Sequence, residues 1–289
     1  MLNNIHLDQI LIQLLNGLTY GGLLFVIASG FTLIFGLMRV VNMSHGALYL
    51  FGAYIGYAFQ KQTGNWLFAI IAGTIAVGIM SFLLYWLVQL VKGDLPQTLL
   101  TLGIALLISD LCLWIWGGLP ITLKAPPQLK TLLNLGIIQF PGFRLFVLLV
   151  AILVGLFLWI ILYRTQFGRI IRAGVDNREM VSALGINIDL IFMLVFILGG
   201  ILIGLSGTIG GSYLAFGSGT DFDILTYALV VVVIGGMGSL SGSAVSAILI
   251  GLIDSFGRTY IASASIFLLS GTLIIILAFR PQGLFGRPQ

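Results

Sequence analysis

Two apolar runs, Leu145–Tyr163 and Leu190–Gly211, stand on either side of the most highly charged stretch of this chain, Arg164–Asp189. Each run is about long enough to cross a hydrocarbon core of ~30 Å at ~1.5 Å of rise per helical residue. A backbone in hydrocarbon must satisfy its own N–H and C=O groups, which leaves only helices or a closed barrel. Further apolar runs at 10–37, 66–91, 98–116 and 261–279 have helical length, not the alternating ten-residue pattern of barrel strands. With 59% of residues hydrophobic and 8% charged, the composition is that of an integral membrane protein. The fold expected is all-α: a polytopic transmembrane helical bundle, one domain over residues 1–289, with a water-exposed loop at 164–189.

That loop holds four arginines and three acids in 26 positions. Basic loops beside spans stay in the cytosol, so the segment is placed there. As a helix over Arg169–Leu184 it would carry Ile170, Ala173, Met180 and Ala183 on one stripe, with Arg172, Arg178 and Glu179 outside it. Gly185 would stop the helix in the left-handed cap position. An interfacial helix lying on lipid headgroups is one reading. Docking to a soluble protein is favoured, because the apolar side is shallow and rich in small residues.

The run at 10–37 has no basic residues before it and no small-residue cleavage pattern, so it reads as a retained span. RVVNMSHG follows, and then a short apolar run, 47–59, as though a helix began inside the membrane's thickness. The proline-bearing stretch 117–141 is expected outside as an irregular loop, and GSGTDFD as an acidic outside turn. Residues 224–234 and 244–256 meet at GGMGSLSGS and read as discontinuous or re-entrant helices. The expected count is eight or nine spans, with the N-terminus out and the C-terminus in. This places Arg39, Lys92, Arg164, Arg169, Arg172, Arg178, Arg280 and Arg287 inside, and Lys61, Lys124, Lys130, Arg144 and Arg258 outside. NMSHGALYLFGAYIG and GSLSGSAVSAILIG echo one another as an inverted repeat would.

No catalytic or metal-binding constellation is present. His6 and His45 are far apart, and the single Cys112 lies in an apolar run and forms no disulfide within the chain. The phosphate-loop pattern G-x-x-x-x-G-K-[ST] is absent, so uphill work would need an ion gradient or a partner. Asp110 is the one acid well inside a span and Asp254 lies near the end of a short one; either could cap a helix or bond backbone. The net charge of +4 is spread over loops beside spans, which topology explains better than nucleic acid does.

N-G-x-x-x-G from Asn16, then NMSHG, GDLPQTLLTLG, GRIIRAGVDNREMVSALGIN and VIGGMGSLSG together resemble the inner-membrane permeases of branched-chain amino-acid ABC importers, the LivH type. The resemblance runs from about Leu11 to Gly286. Urea and short-amide permeases share the motifs, so the cargo stays open between them. The resemblance implies a bacterial inner-membrane subunit without an ATPase of its own. Its partners would be a second, related permease chain, two cytosolic ATPases that bind ATP and Mg, and a periplasmic binding protein. The loop bearing Ala173, Gly174, Asp176, Met180, Ala183, Leu184 and Gly185 would meet the ATPase, with Arg169, Arg172, Arg178 and Glu179 beside it. Candidate path residues are Asn42, Ser44, His45, Gly46, Gln97, Thr98, Gly235, Gly236, Gly238 and Ser239. A stand-alone ion-coupled carrier or channel, and a purely structural scaffold, are the readings from other classes.

Overall fold

The computed structural model of the chain describes residues 2–38, 40–134, 136, 138–262 and 265–286; the side chains of 2–6, 176, 178, 179, 265 and 266 lie outside the description. Arg39 and Arg287, two of the arginines assigned to the inside, lie outside the described residues. The helices are α1 Leu2–Met38, α2 His45–Thr63, α3 Trp66–Gln89, α4 Asp94–Trp116, α5 Gly142–Arg164, α6 Gln166–Asp176, α7 Arg178–Ala183, α8 Ile188–Tyr213, α9 Thr220–Gly235, α10 Leu240–Tyr260 and α11 Ser265–Phe279. Among the described residues, six helices are long and apolar enough to cross a membrane: α1, α3, α4, α5, α8 and α10. The other membrane-type helices, α2, α9 and α11, have 19, 16 and 15 residues.

α1 is the central post. Its most apolar window is 83% buried, against 22% for α4 and for α5, which are peripheral. Hydrocarbon supplies no hydrophobic force between helices, so close van der Waals approach along small residues holds such a bundle together. A methyl group added at Gly21 would lie 2.8 Å from the Ala247 carbonyl oxygen of α10, and one at Gly30 would lie 2.7 Å from that of Gly199 in α8. Thr32 and Ser243 join α1 to α10 by a buried 2.6 Å hydroxyl–hydroxyl hydrogen bond.

The order of approaches gives relative direction. Gly21 and Gly36 of α1 meet Ala247 and then Gly238, so α10 runs antiparallel to α1. Asn16, Gly22 and Phe25 meet Arg144, Ala151 and Gly155 in turn, so α5 runs parallel to α1. α3 is antiparallel to α8: Val77 packs at Gly204, while the Tyr85 hydroxyl donates to the Asp189 carbonyl at 2.8 Å, near the start of α8.

The stretch 117–141 is more ordered than its prolines suggest. It contains an antiparallel hairpin, β1 Leu132–Asn134 with β2 Gln139–Pro141. Ile121 also exchanges backbone hydrogen bonds with Phe216, at 2.8 and 2.9 Å. The Tyr54 ring lies beside Trp116 and Phe216, with centroids 4.9 and 5.0 Å away, and closes this end of the bundle.

Two local expectations change. The break at Gly235–Ser239 is a tight reverse turn at the α1 C-terminal end of the bundle, since Gly238 packs on Gly36. Positive φ at Gly236 (97°) and Gly238 (84°) lets the chain fold straight back into α10, a full span. GSGTDFD is not wholly an open turn either: Asp221 is 5% exposed. The partner of the break before α2 is therefore the non-helical stretch 214–219 before α9. The two helix N-termini meet where a methyl at Gly46 would come within 1.9 Å of the Asp221 carbonyl oxygen.

Candidate functional site

The charged segment folds as two helices, not the single one expected over Arg169–Leu184. Asn177 takes an extended backbone (φ −154°, ψ 99°), and its side chain accepts from the Met180 N–H at 2.9 Å, starting α7 afresh. Asn, Asp, Ser and Thr favour such local bonds over helix continuation, which is the signal a stripe count passes over. α6 starts likewise on Thr165, whose hydroxyl oxygen accepts from the Gly168 N–H at 3.2 Å. Gly185 follows α7 with φ +79°, and its N–H donates to the Ser182 carbonyl at 3.0 Å.

The buried side of the pair is Gly168, Ile171, Gly174 and Val181. Gly174 lies against Ile188, so α6 rests directly on the start of α8. Arg172 donates to the Leu162 carbonyl, and its guanidinium lies 5.2 Å from the Tyr163 ring centroid. It thereby satisfies one of the orphan carbonyls at the end of α5 and stacks on an aromatic face. Arg172 is thus engaged in fixing the junction, whereas Arg169 is exposed. Ala173 and Ala183 are exposed too, with Met180 at 63% and Leu184 at 75%. The result is a small apolar platform on a rigid mount. Asp176, Arg178 and Glu179 belong to these helices by backbone, and their side chains lie outside the described residues.

The candidate path residues fall in three places. Asn42, Ser44, His45 and Gly46 form a buried knot at the start of α2. Asn42 Oδ1 accepts from the Ser44 N–H at 3.1 Å and from the Ser44 hydroxyl at 2.6 Å. His45 Nε2 is 2.9 Å from the Ile27 carbonyl; a carbonyl only accepts, so this nitrogen carries the proton. Gln97 and Thr98 are elsewhere, in the first turn of α4. Gln97 donates to the Val88 and Val91 carbonyls at 3.1 and 2.8 Å, tying off the end of α3, and Thr98 donates to Asp94. Gly235, Gly236, Gly238 and Ser239 form the reverse turn, with the Ser239 hydroxyl accepting from the Gly242 N–H at 3.1 Å. The knot is level with Gly30 and the turn with Gly36, about 9 Å apart along α1 at ~1.5 Å per residue.

Sequence reading passed over the residues that lock the knot in place. The Met43 N–H donates to the Thr101 hydroxyl at 3.1 Å, and Ser109 donates to Asp221 Oδ2 at 2.6 Å. Both hydroxyls lie on one face of α4, eight residues apart, and hydroxyls in an apolar span were the available signal. The described residues contain no group of His, Cys, Asp and Glu able to hold a metal ion. What the geometry offers is a mechanical link: two helix N-termini that meet within the bundle, that of α2 buried and that of α9 buried at Asp221, and an exposed platform fastened to the ends of α5 and α8.

Comparison with known proteins gives the same class. The family model for branched-chain amino acid transport system permease components matches residues 13–278. The high-affinity branched-chain amino acid transport system permease protein BraD of Pseudomonas aeruginosa is 27% identical, covering 96% of each chain. LivH of Escherichia coli K12, described in the same terms, is 24% identical over 96% of each chain. The autoinducer 2 import system permease protein LsrC of Yersinia pestis is 28% identical over 81% of this chain and 66% of its own. No solved structure matches. The chain is a multi-pass membrane protein and belongs to the family of branched-chain amino acid transport system permease components.

Proposed function

We propose that this chain is a transmembrane subunit of an ATP-driven importer that carries branched-chain or other neutral amino acids inward across the plasma membrane. It works with a second permease subunit, two cytosolic ATPases that bind ATP and Mg, and an external binding protein that supplies affinity. The observation that carries the reading is the α6–α7 platform. Its Met180, Leu184, Ala173 and Ala183 are exposed, while Arg172, Gly174 and Val181 fix it to the bundle. A partner that grips it moves α5 and α8 as levers. α8 in turn packs on α1 and α2, and so reaches the knot at Asn42–Gly46. Few charges in the spans suit a solute of zero net charge, amino acid or short amide alike.

Met180→Glu tests this. At 63% exposure the side chain can change without disturbing the core, so membrane insertion and thermal stability should match the wild type. ATP-driven uptake should fall at least tenfold in proteoliposomes containing the whole complex. Wild-type uptake by this variant would remove the docking role. Competition with leucine, urea and acetamide distinguishes the cargoes. Solute flux through this chain reconstituted alone would favour an ion-coupled carrier instead.

A further inference from the structure

Asp110 lies in α4, sixteen residues after Asp94 and six before Trp116, about 24 and 9 Å along the axis at ~1.5 Å per residue. Of the other carboxylates, Asp8 and Asp94 stand near the first ends of α1 and α4, and those set deeper in the bundle have supports. Asp221 is buried and accepts from Ser109. Asp254 pairs with Arg258 at 2.8 Å and accepts from the Tyr227 hydroxyl at 3.3 Å. Asp223 is exposed but stands in the first turn of α9, where a helix N-terminus favours an anion. Asp110 has none of these supports. It is mid-helix and exposed, with no hydrogen bond or ion pair to its carboxylate among the described residues.

Around it on the same side of α4 are Leu106, Leu107, Leu113 and Trp114, all exposed. Such a face would suit lipid except for the carboxylate. Acyl chains offer no donor, and an acid at this depth faces protein or a water-filled path. The adjacent Ser109 holds the first turn of α9 through Asp221, and that helix leaves Phe222, Asp223 and Thr226 exposed. Neighbouring helices thus offer carboxylate and hydroxyl groups outward within the membrane's thickness.

We propose that Asp110 lines the solute path, which the second permease subunit closes on its open side, and receives the ammonium group of an amino-acid substrate. The proposal rests on the amino-acid importer reading above. A carboxylate takes charge-assisted hydrogen bonds from an ammonium, and water in the path screens the pair so that the solute moves on.

The test uses the complete complex in proteoliposomes, with the buried Cys112, the chain's single cysteine, replaced by Ala. Asp110→Cys in that background is treated with a membrane-impermeant, cationic thiol reagent. Labelling is expected, slowed several-fold by the transported amino acid. Asp110→Asn should lower ATP-driven uptake several-fold, because the amide oxygen still accepts from the ammonium but no longer carries the charge that strengthens the bond. Loaded binding protein should still stimulate ATP hydrolysis in that variant, and Asp110→Glu should recover most of the uptake. Failure to label, or wild-type uptake by Asp110→Asn, overturns the proposal. Labelling indifferent to substrate, with Asp110→Asn weakening subunit assembly, also overturns it and marks an ion pair between permease chains. Wild-type ATP-driven amino-acid uptake, measured alongside, separates these failures from failure of the importer reading itself.

Discussion

Gly46 is the tightest point between the two helix starts: a methyl there would meet the Asp221 carbonyl oxygen at 1.9 Å, and both sides of that contact are backbone. Neither can yield by a rotamer change. Gly46→Ala is expected to lower stability by about 1–3 kcal/mol or more, the cost of overpacking a filled core. Gly103→Ala is the control. Its backbone is helical, nothing lies within reach of the new methyl, and the exchange should be neutral or stabilising by up to ~1 kcal/mol. Thermal unfolding of the purified variants in one detergent checks both, and a Gly46→Ala protein as stable as the parent would mean that the knot is looser than described. Arg172→Lys belongs at this scale as well. A lysine ammonium lacks the planar face that lies over Tyr163, so faster proteolysis at 164–168 is expected with the spans intact.

Among the elements, α6 and α7 show how a local bond redirects a helix. The apolar spacing over Arg169–Leu184 suits one helix, but Asn177 takes an extended backbone and its side chain starts a second. This is why Val181 faces the bundle while Met180 and Ala183 stay open. Asn177→Ala should cost ~1 kcal/mol of cap energy. Amide exchange across 178–183 should then speed up about fivefold, and uptake should fall because the platform loses its fixed angle. Unchanged exchange would show that packing by Val181, not the cap, holds α7. α2 makes the opposite point. His45 begins it level with Ile27 and Gly30, well short of the end of α1 at Met38, so this helix starts at depth.

For the whole molecule, the close approaches set α5 parallel and α10 antiparallel to α1, with direction reversing at each connection between membrane helices. If all nine membrane-type helices cross, the termini lie on opposite faces. Reporter fusions test this. Alkaline phosphatase joined after Gln128 should be active, and the same enzyme joined after Gly185 inactive. Activity at Gly185 would put the platform outside, away from any ATPase, and remove the proposed function with it. Much of this was legible in sequence. The apolar runs gave the membrane helices, and the arginine-rich loop stood out by charge. Gly185 was readable as a helix stop because glycine alone enters the left-handed region without strain. The depth of the two breaks was not legible, because glycine and serine suit a reverse turn at a bundle end as well as a gap within it.

Alone, the sequence determined that this chain buries itself in a membrane as helices, since hydrocarbon leaves its backbone no other partner. It also set one segment apart by its charge, since charge is costly within hydrocarbon. Only the tertiary structure decided which helix is central, which N-termini meet, and that Asp110 stands on an exposed apolar face. Those outcomes depend on contacts such as Gly46 with Asp221 and Ser109 with Asp221, between residues more than a hundred positions apart. Local composition carries no record of such pairings, because small and hydroxyl residues fit equally well against many neighbours.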